Sequence, residues 1–149
     1  VSLLQLARAY AIFGNDGFLP SVRFIIGDKS QHSLGNNPKV ISEQVAQQML
    51  NILAEVVKSG GTGQQAQING YSVAGKTGTV RKTTIGGYSK SNYLALFVGI
   101  VPVNNPRLVM AVLVDEPRKG TYYGGKVAAP VFAKVMTEAL RILNILPDM

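Results

Sequence analysis

Apolar positions recur at helical spacing from the start of the 149-residue chain: Leu3, Leu6, Ala7, Tyr10 and Ala11 follow the capping residue Ser2, and Gly14-Asn15-Asp16-Gly17 ends the pattern. That spacing predicts a helix over about residues 3–13. Residues 22–26 read as a short extended segment, followed by a polar stretch to Pro38 without periodicity. Ser42 then caps a second helix, with Glu43 in its first turn, Lys58 at its end and an apolar stripe of Val45, Met49, Ile52, Leu53 and Val56. Ser59-Gly60-Gly61-Thr62-Gly63 breaks it. Three strands are predicted next, over 71–80, 93–101 and Leu108–Asp115. The last two are almost continuously apolar, which implies that both their faces are covered and that they lie inside the sheet. Asn104-Asn105-Pro106 joins them as a tight turn, and the first strand pairs with the second through a connection over 83–91. Val131, Phe132, Val135, Met136, Ala139, Leu140 and Leu143 mark a C-terminal helix opened by Pro130 and ended before Pro147. The expected fold is α+β: a three-stranded antiparallel sheet packed with helices.

Composition narrows the picture little. With 46% hydrophobic content, residues 1–149 can bury a core as one globular piece. No apolar run reaches the roughly 18 residues of a membrane-spanning helix. Neither a span nor a signal peptide is expected within these residues, so any membrane anchor of a parent protein would lie outside them. The absence of cysteine excludes disulfides, thiolate metal sites and thiol catalysis. His32, the one histidine, sits in the polar Ser30-Gln31-His32-Ser33 stretch and reads as a solvated loop residue.

Charge is more informative by its placement. Lys76, Arg81, Lys82, Lys90, Arg107, Arg118, Lys119 and Lys126 face only Asp115 and Glu116 over that segment, so +6 of the net +7 lies between Lys76 and Lys126. Such a field would concentrate an anionic substrate such as a peptide with a free carboxylate. The same cations, with Tyr88, Tyr93, Tyr122 and Tyr123, could instead track a nucleic-acid backbone. They follow no helix-turn-helix, zinc-finger or RNA-binding pattern, and nucleic acid is not the expected partner.

Two chemistries compete for one motif. Gly70-Tyr71-Ser72-Val73-Ala74-Gly75-Lys76-Thr77 fits the spacing of a phosphate loop, and Lys76-Thr77-Gly78 is a signature of serine acyl-transfer enzymes acting on penicillin-like substrates. A phosphate loop needs a buried strand before the first glycine and a helix opening at Lys-Thr. The preceding Gln64-Gln65-Ala66-Gln67-Ile68-Asn69 is too polar for that strand, and Gly78, Thr79 and Val80 make a poor first helical turn. The apolar run from Leu108 that ends in Asp115-Glu116 resembles a magnesium-holding strand, but such runs are common. A strand suits the motif better, because Tyr71, Val73 and Gly75 alternate with Ser72, Ala74 and Lys76.

On a strand, Lys76 would present an ammonium that holds a nearby serine in its reactive state and attracts an anion, or would be a surface cation. Thr77 and Thr79 share one face, so both hydroxyls can reach one carboxylate, or they fill the strand as ordinary β-branched residues. Gly78 would admit a substrate strand to the backbone, with the Thr79 N–H in an oxyanion hole, or would mark a bulge.

Gln5-Leu6-Ala7-Arg8-Ala9-Tyr10, Gly60-Gly61-Thr62-Gly63, the Val73–Thr79 run, and Tyr122-Tyr123-Gly124-Gly125 followed by Ala129-Pro130-Val131-Phe132 resemble successive landmarks of class B penicillin-binding proteins, closest to their division type. The resemblance covers nearly the whole chain. It implies the C-terminal part of a transpeptidase domain that cross-links septal peptidoglycan by acylating a serine with a D-Ala-D-Ala stem peptide. It further implies a β-lactam target on the periplasmic face of a bacterial inner membrane, with division-complex partners, no metal and no cofactor. Lys76 and Thr79 would be catalytic. Thr77, Gly78, Thr79, Tyr122 and Tyr123 would bind substrate, the tyrosines as an aromatic wall or else as two half-buried loop residues. Such enzymes also need a Ser-x-x-Lys nucleophile and a Ser-x-Asn element, and neither occurs between Val1 and Met149; Ser89, Ser91 and Asn92 lack the spacing. The nucleophile is therefore expected in a remainder of the domain N-terminal to Val1. A phosphate-loop nucleotide enzyme and a non-catalytic interaction module of a division complex are the alternative readings.

Overall fold

The computed structural model describes residues 1–24, 37–118 and 120–149. His32, Lys119 and the end of the 22–26 segment lie outside the described residues; residues 22–24 form no strand. Helix α1 (Leu3–Ala11) opens on a capping box, in which Ser2 Oγ accepts the Gln5 N–H and Gln5 accepts the Ser2 N–H. Helix α2 (Glu43–Glu55) is capped by Ser42, whose hydroxyl accepts the Val45 N–H. Its buried face is Ala46, Leu50 and Leu53, continued by Val57; of the predicted stripe Leu53 is buried, and Met49 and Val56 are half-buried. Val45 and Ile52 are 43% and 60% exposed. Both sets repeat at i, i+4, i+7 and i+11, so the helix carries two neighbouring apolar stripes, and contact with the sheet selects one of them.

The sheet has the order β1-β2-β3, all antiparallel: β1 (Ala74–Thr84), β2 (Gly87–Val101) and β3 (Leu108–Asp115). Strand β1 starts three residues later than expected, because Tyr71 is engaged in a bridge with Ile68, and it runs on to Thr84. The expected 83–91 connection is mostly strand. Thr84 pairs with Gly87 across a turn at Ile85-Gly86, and Gly87 adopts φ 115°. A register shift between Arg81 and Thr83 marks a bulge.

Among the described residues only β2 has a strand on each side. Strand β3 is an edge strand of the described sheet, with Val112 buried and Leu113 37% exposed. Both its faces are covered, since α1 and helix α4 (Ala129–Ile142) both pack on it. One face of the sheet meets α4 through Phe97, Val101, Val112, Phe132, Met136 and Leu140. Leu50, Leu53, Ala74, Ile100 and Val103 build the core on the other face, with Tyr10 and Phe13 against it.

Two facing glycines open the first of these cores. Gly75 and Gly99 are cross-strand partners. A Cβ on Gly75 would lie 2.4 Å from Phe97 Cζ, and one on Gly99 would lie 2.7 Å from Phe132 Cζ. The two rings fill that gap edge to face, with centroids 5.0 Å apart and no exposed surface. Helix α4 is thereby held against the sheet, while Val131 and Val135 on its outer side remain exposed. The chain end returns to the lead-in of β1: the Asp148 carboxylate accepts the Ser72 N–H at 2.7 Å and also the Ser72 hydroxyl, whose oxygen accepts the Val103 N–H at 2.8 Å.

Phe132→Ala should lower the unfolding free energy by about 3–5 kcal/mol, and Gly99→Ala by about 1–3 kcal/mol. In the double variant the Gly99→Ala cost should shrink, because the two Phe132 ring atoms it strikes are gone and only Phe97 Cε1, at 2.9 Å, remains in the way. Urea denaturation of the four proteins closes the cycle, and additive losses would contradict this packing.

Candidate active site

The motif lies in the middle of β1, which pairs along only one edge among the described residues. The register from Ala74 to Arg81 is unbroken, so Gly78 is not a bulge. Lys76 faces the α1 and α2 side and is exposed; its ammonium donates to the Thr77 carbonyl at 3.0 Å. Thr77 and Thr79 face the opposite side, beneath the short helix α3 (Gly124–Val127). The strand therefore presents an ammonium on one face and two hydroxyls on the other.

Both hydroxyls already have partners. Thr77 Oγ1 lies 3.1 Å from Thr62 Oγ1, in the glycine-rich loop that follows α2. Thr79 Oγ1 accepts the Gly124 N–H at 3.1 Å. A hydroxyl that accepts one N–H keeps its own proton to donate, so Thr79 remains able to bind an anion. The glycines around these contacts are required by close approach. A Cβ on Gly125 would lie 1.9 Å from the Thr62 carbonyl oxygen, and one on Gly124 would lie 2.1 Å from that of Leu96 and 2.4 Å from that of Gly78. Backbone atoms cannot swing aside as a side chain can, so the two loops seat on β1 only because these positions lack side chains.

An aromatic stack stands beyond Thr79. Arg81 is the cross-strand partner of Tyr93, and its guanidinium lies 5.7 Å from that ring's centroid. Tyr122 stacks on Tyr93, with its ring 4.0 Å away and 9° from parallel, and Tyr123 follows at 4.7 Å with a tilt of 34°. The Tyr122 phenol is held above its ordinary range, chiefly by a hydrogen bond with Tyr123. Tyr123, 58% exposed, is the outermost ring.

The structure thus brings Thr77, Thr79, Tyr122 and Tyr123 to one side of β1 and leaves Lys76, with the side-chain position of Gly78, on the other. Sequence reasoning missed Thr62, Gly124 and the joint role of Arg81 and Tyr93. Thr77, Thr79 and Arg81 share a face at spacing two, but the tight turn alone does not bring Tyr93 opposite Arg81; the register shift between Arg81 and Thr83 does, and no sequence signal marked it. The phosphate-loop reading does not fit: Lys76 and Thr77 are followed by seven more strand residues rather than a helix. The residues before Gly70 form a single 3-10 turn (Gln64–Ala66) and a bridge, rather than a parallel strand.

A sequence model described as the penicillin-binding protein transpeptidase domain matches residues 1–137. The chain is 41% identical over 147 residues to a probable peptidoglycan D,D-transpeptidase PenA of Neisseria meningitidis serogroup A, covering 99% of this chain and 25% of that protein. It is 36% identical to the peptidoglycan D,D-transpeptidase FtsI of Escherichia coli K12, covering 99% of this chain and 24% of that one. The apo structure of the transpeptidase domain from Burkholderia pseudomallei penicillin-binding protein 3 superposes with a TM-score of 0.89 at 42% identity, covering all of this chain and 44% of that one. The chain spans about a quarter of the length of these curated relatives.

Thr79→Val keeps the shape of the side chain and removes the acceptor of the buried Gly124 N–H. Exchange of the Gly124 amide should accelerate about tenfold, equivalent to about 1.4 kcal/mol. The Gly63 amide, bonded to the Val56 carbonyl at 2.8 Å, serves as the unaffected control. Unchanged protection at Gly124 would contradict the assigned bond.

Proposed function

The chain belongs to the penicillin-binding protein transpeptidase domain family, and from that premise we propose that it is the C-terminal part of a serine D,D-transpeptidase domain that cross-links peptidoglycan and is a target of β-lactams. The observation that carries this reading is the Lys76-Thr77-Gly78-Thr79 strand on the outer edge of the sheet, its hydroxyl face bordered by an aromatic stack. A serine supplied by the remainder of the domain attacks the carbonyl between the two D-alanines of a stem peptide. An ester forms, the terminal D-alanine leaves as its amine takes up a proton, and an acceptor amine then displaces the serine.

In this scheme Lys76 serves the proton and electrostatic network of the nucleophile, and Thr77 and Thr79 hold the substrate or β-lactam carboxylate. The Thr79 N–H stabilises the oxyanion, Gly78 admits the substrate backbone, and Tyr122 and Tyr123 wall the cleft. The anionic substrate also suits the local excess of positive charge. Nucleic acid suits it less, because Arg81 and Lys82 are engaged within the protein, on Tyr93 and on Asp115 and Glu116 respectively.

Apolar surface supports the presence of a covering remainder. Val45, Ile52, Val131, Val135 and Ile142 are exposed, and β3 offers an unpaired edge among the described residues whose sequence is uncharged until Asp115. Both features are liabilities in a free protein. The likeness to penicillin-binding protein 3 supports the division type, acting at the periplasmic face of the inner membrane within a division complex. None of the described helices is long and apolar enough to cross a membrane.

The full domain, with its Ser-x-x-Lys segment present, should be labelled covalently by a fluorescent penicillin, and Lys76→Ala should slow labelling by about 10²–10⁴-fold. A folded full domain that takes no label would refute the proposal.

A further inference from the structure

Glu116 is the residue at which the chain leaves β3, and its backbone has φ 49°, a left-handed conformation that side chains other than glycine's disfavour. Four contacts hold it there. Its N–H donates to the Tyr93 carbonyl at 2.9 Å. Its Oε1 accepts from Lys82 Nζ at 2.8 Å and from Asn92 Nδ2 at 3.3 Å. Its Oε2 lies 3.8 Å from the Arg118 guanidinium. The Lys82 and Glu116 side chains are only 33% and 32% exposed, so this pair is better shielded than an ordinary surface salt bridge.

The geometry of the pair spans the sheet. Lys82 belongs to β1, Asn92 to β2 and Asp115 to the end of β3, and Lys82 Nζ also reaches Asp115 Oδ1 at 2.9 Å. Lys82 sits at the bulge between Arg81 and Thr83, where the ladder is interrupted and a side chain can be re-aimed. The link from β3 to α3 therefore starts and ends on one residue: Glu116 is bonded to the Tyr93 main chain, and Tyr122 is stacked on the Tyr93 ring. The turn at Glu116, followed by the fixed φ of Pro117, sets the direction in which the chain leaves β3 toward the tyrosines.

We propose that Glu116, clamped by Lys82, is a positioning residue that sets Tyr122 and Tyr123 against Tyr93 and thereby tunes which acyl side chains the cleft accepts. The inference rests on the transpeptidase reading for its consequence, though the placement of the tyrosines can be measured without it. Glu116→Gly removes the clamp while keeping the left-handed turn accessible, so the fold is retained. Asp115→Asn, which loosens Lys82 without altering the turn, is the control.

In the full domain, Glu116→Gly should raise the apparent dissociation constant for a penicillin with a bulky aromatic side chain about tenfold. Its limiting acylation rate, and both constants for 6-aminopenicillanic acid, should be unchanged. In parallel, alkaline spectrophotometric titration should show one tyrosine moving down toward the ordinary phenol range as the Tyr122 contact with Tyr123 loosens, and Glu116→Gln should restore much of the wild-type behaviour. Wild-type selectivity and titration in Glu116→Gly, or the same losses in Asp115→Asn, would overturn the proposal. A shifted tyrosine titration in Glu116→Gly, together with a wild-type domain that takes no penicillin, would count against the transpeptidase reading and still support the positioning role.

Discussion

The structure depends on a close approach that only glycine allows: Gly75 and Gly99 face each other across β1 and β2, and Phe97 and Phe132 occupy the space their side chains would take. The same contact that closes the core positions the motif. Gly75 immediately precedes Lys76, and Phe97 is the cross-strand partner of Thr77, so the strand carrying the motif is fixed by a fully buried ring opposite the motif's second residue. Phe132 lies in the first turn of α4 and brings with it the buried Ala128 and Ala129, and through them α3. Core packing is short-ranged and stiff. It therefore transmits to Gly124 and Gly125 the registration that lets their backbones rest on Gly78 and Thr62.

Side-chain chemistry is layered on that frame in two directions. Along β1, residues alternate between faces, which separates the Lys76 ammonium from the Thr77 and Thr79 hydroxyls without any change in backbone geometry. Across the sheet, Arg81, Tyr93, Tyr122 and Tyr123 make a continuous stack, while Lys82, one residue on, is turned by the bulge toward Asp115 and Glu116. Two adjacent cations that look equivalent in a charge count thus have different fates. One is spread over an aromatic face, and the other is neutralised by two carboxylates. The positive field suggested by composition is correspondingly narrower than the sum of its charges.

Much of this was legible in the sequence, and the reasons for the rest are physical. The three strands and the three long helices appeared from periodicity, and Lys76-Thr77-Gly78-Thr79 was recognisable because its flanks exclude a phosphate loop. The α2 face was misread because two stripes with the same spacing lie side by side, and periodicity cannot say which one a sheet will meet. Strand β3 looked interior because an apolar run records covered faces and carries no record of hydrogen-bonding neighbours. The β1–β2 hairpin was drawn too short because Arg81, Lys82 and the stretch to Ser91 are polar, and a protruding hairpin has no core to impose alternation. Contacts such as Thr77 with Thr62, or Thr79 with Gly124, join residues 15 and 45 positions apart, where no local pattern reaches.

The two edges of the sheet show how the chain treats exposed backbone. Strand β1 carries a lysine, a glycine and two threonines at its centre, features that discourage indiscriminate pairing and leave the edge open for one extended ligand. Strand β3, Leu-Val-Met-Ala-Val-Leu-Val before Asp115, has no such protection. An edge left apolar in a stable protein calls for cover, and an edge kept polar calls for access. The first asymmetry is consistent with a remainder of the domain lying along β3, and the second with a substrate lying along β1. On the proposed reading a single three-stranded sheet is polarised, with the rest of its domain on one side and the substrate on the other, and the glycine-lined core between them holds both edges in register.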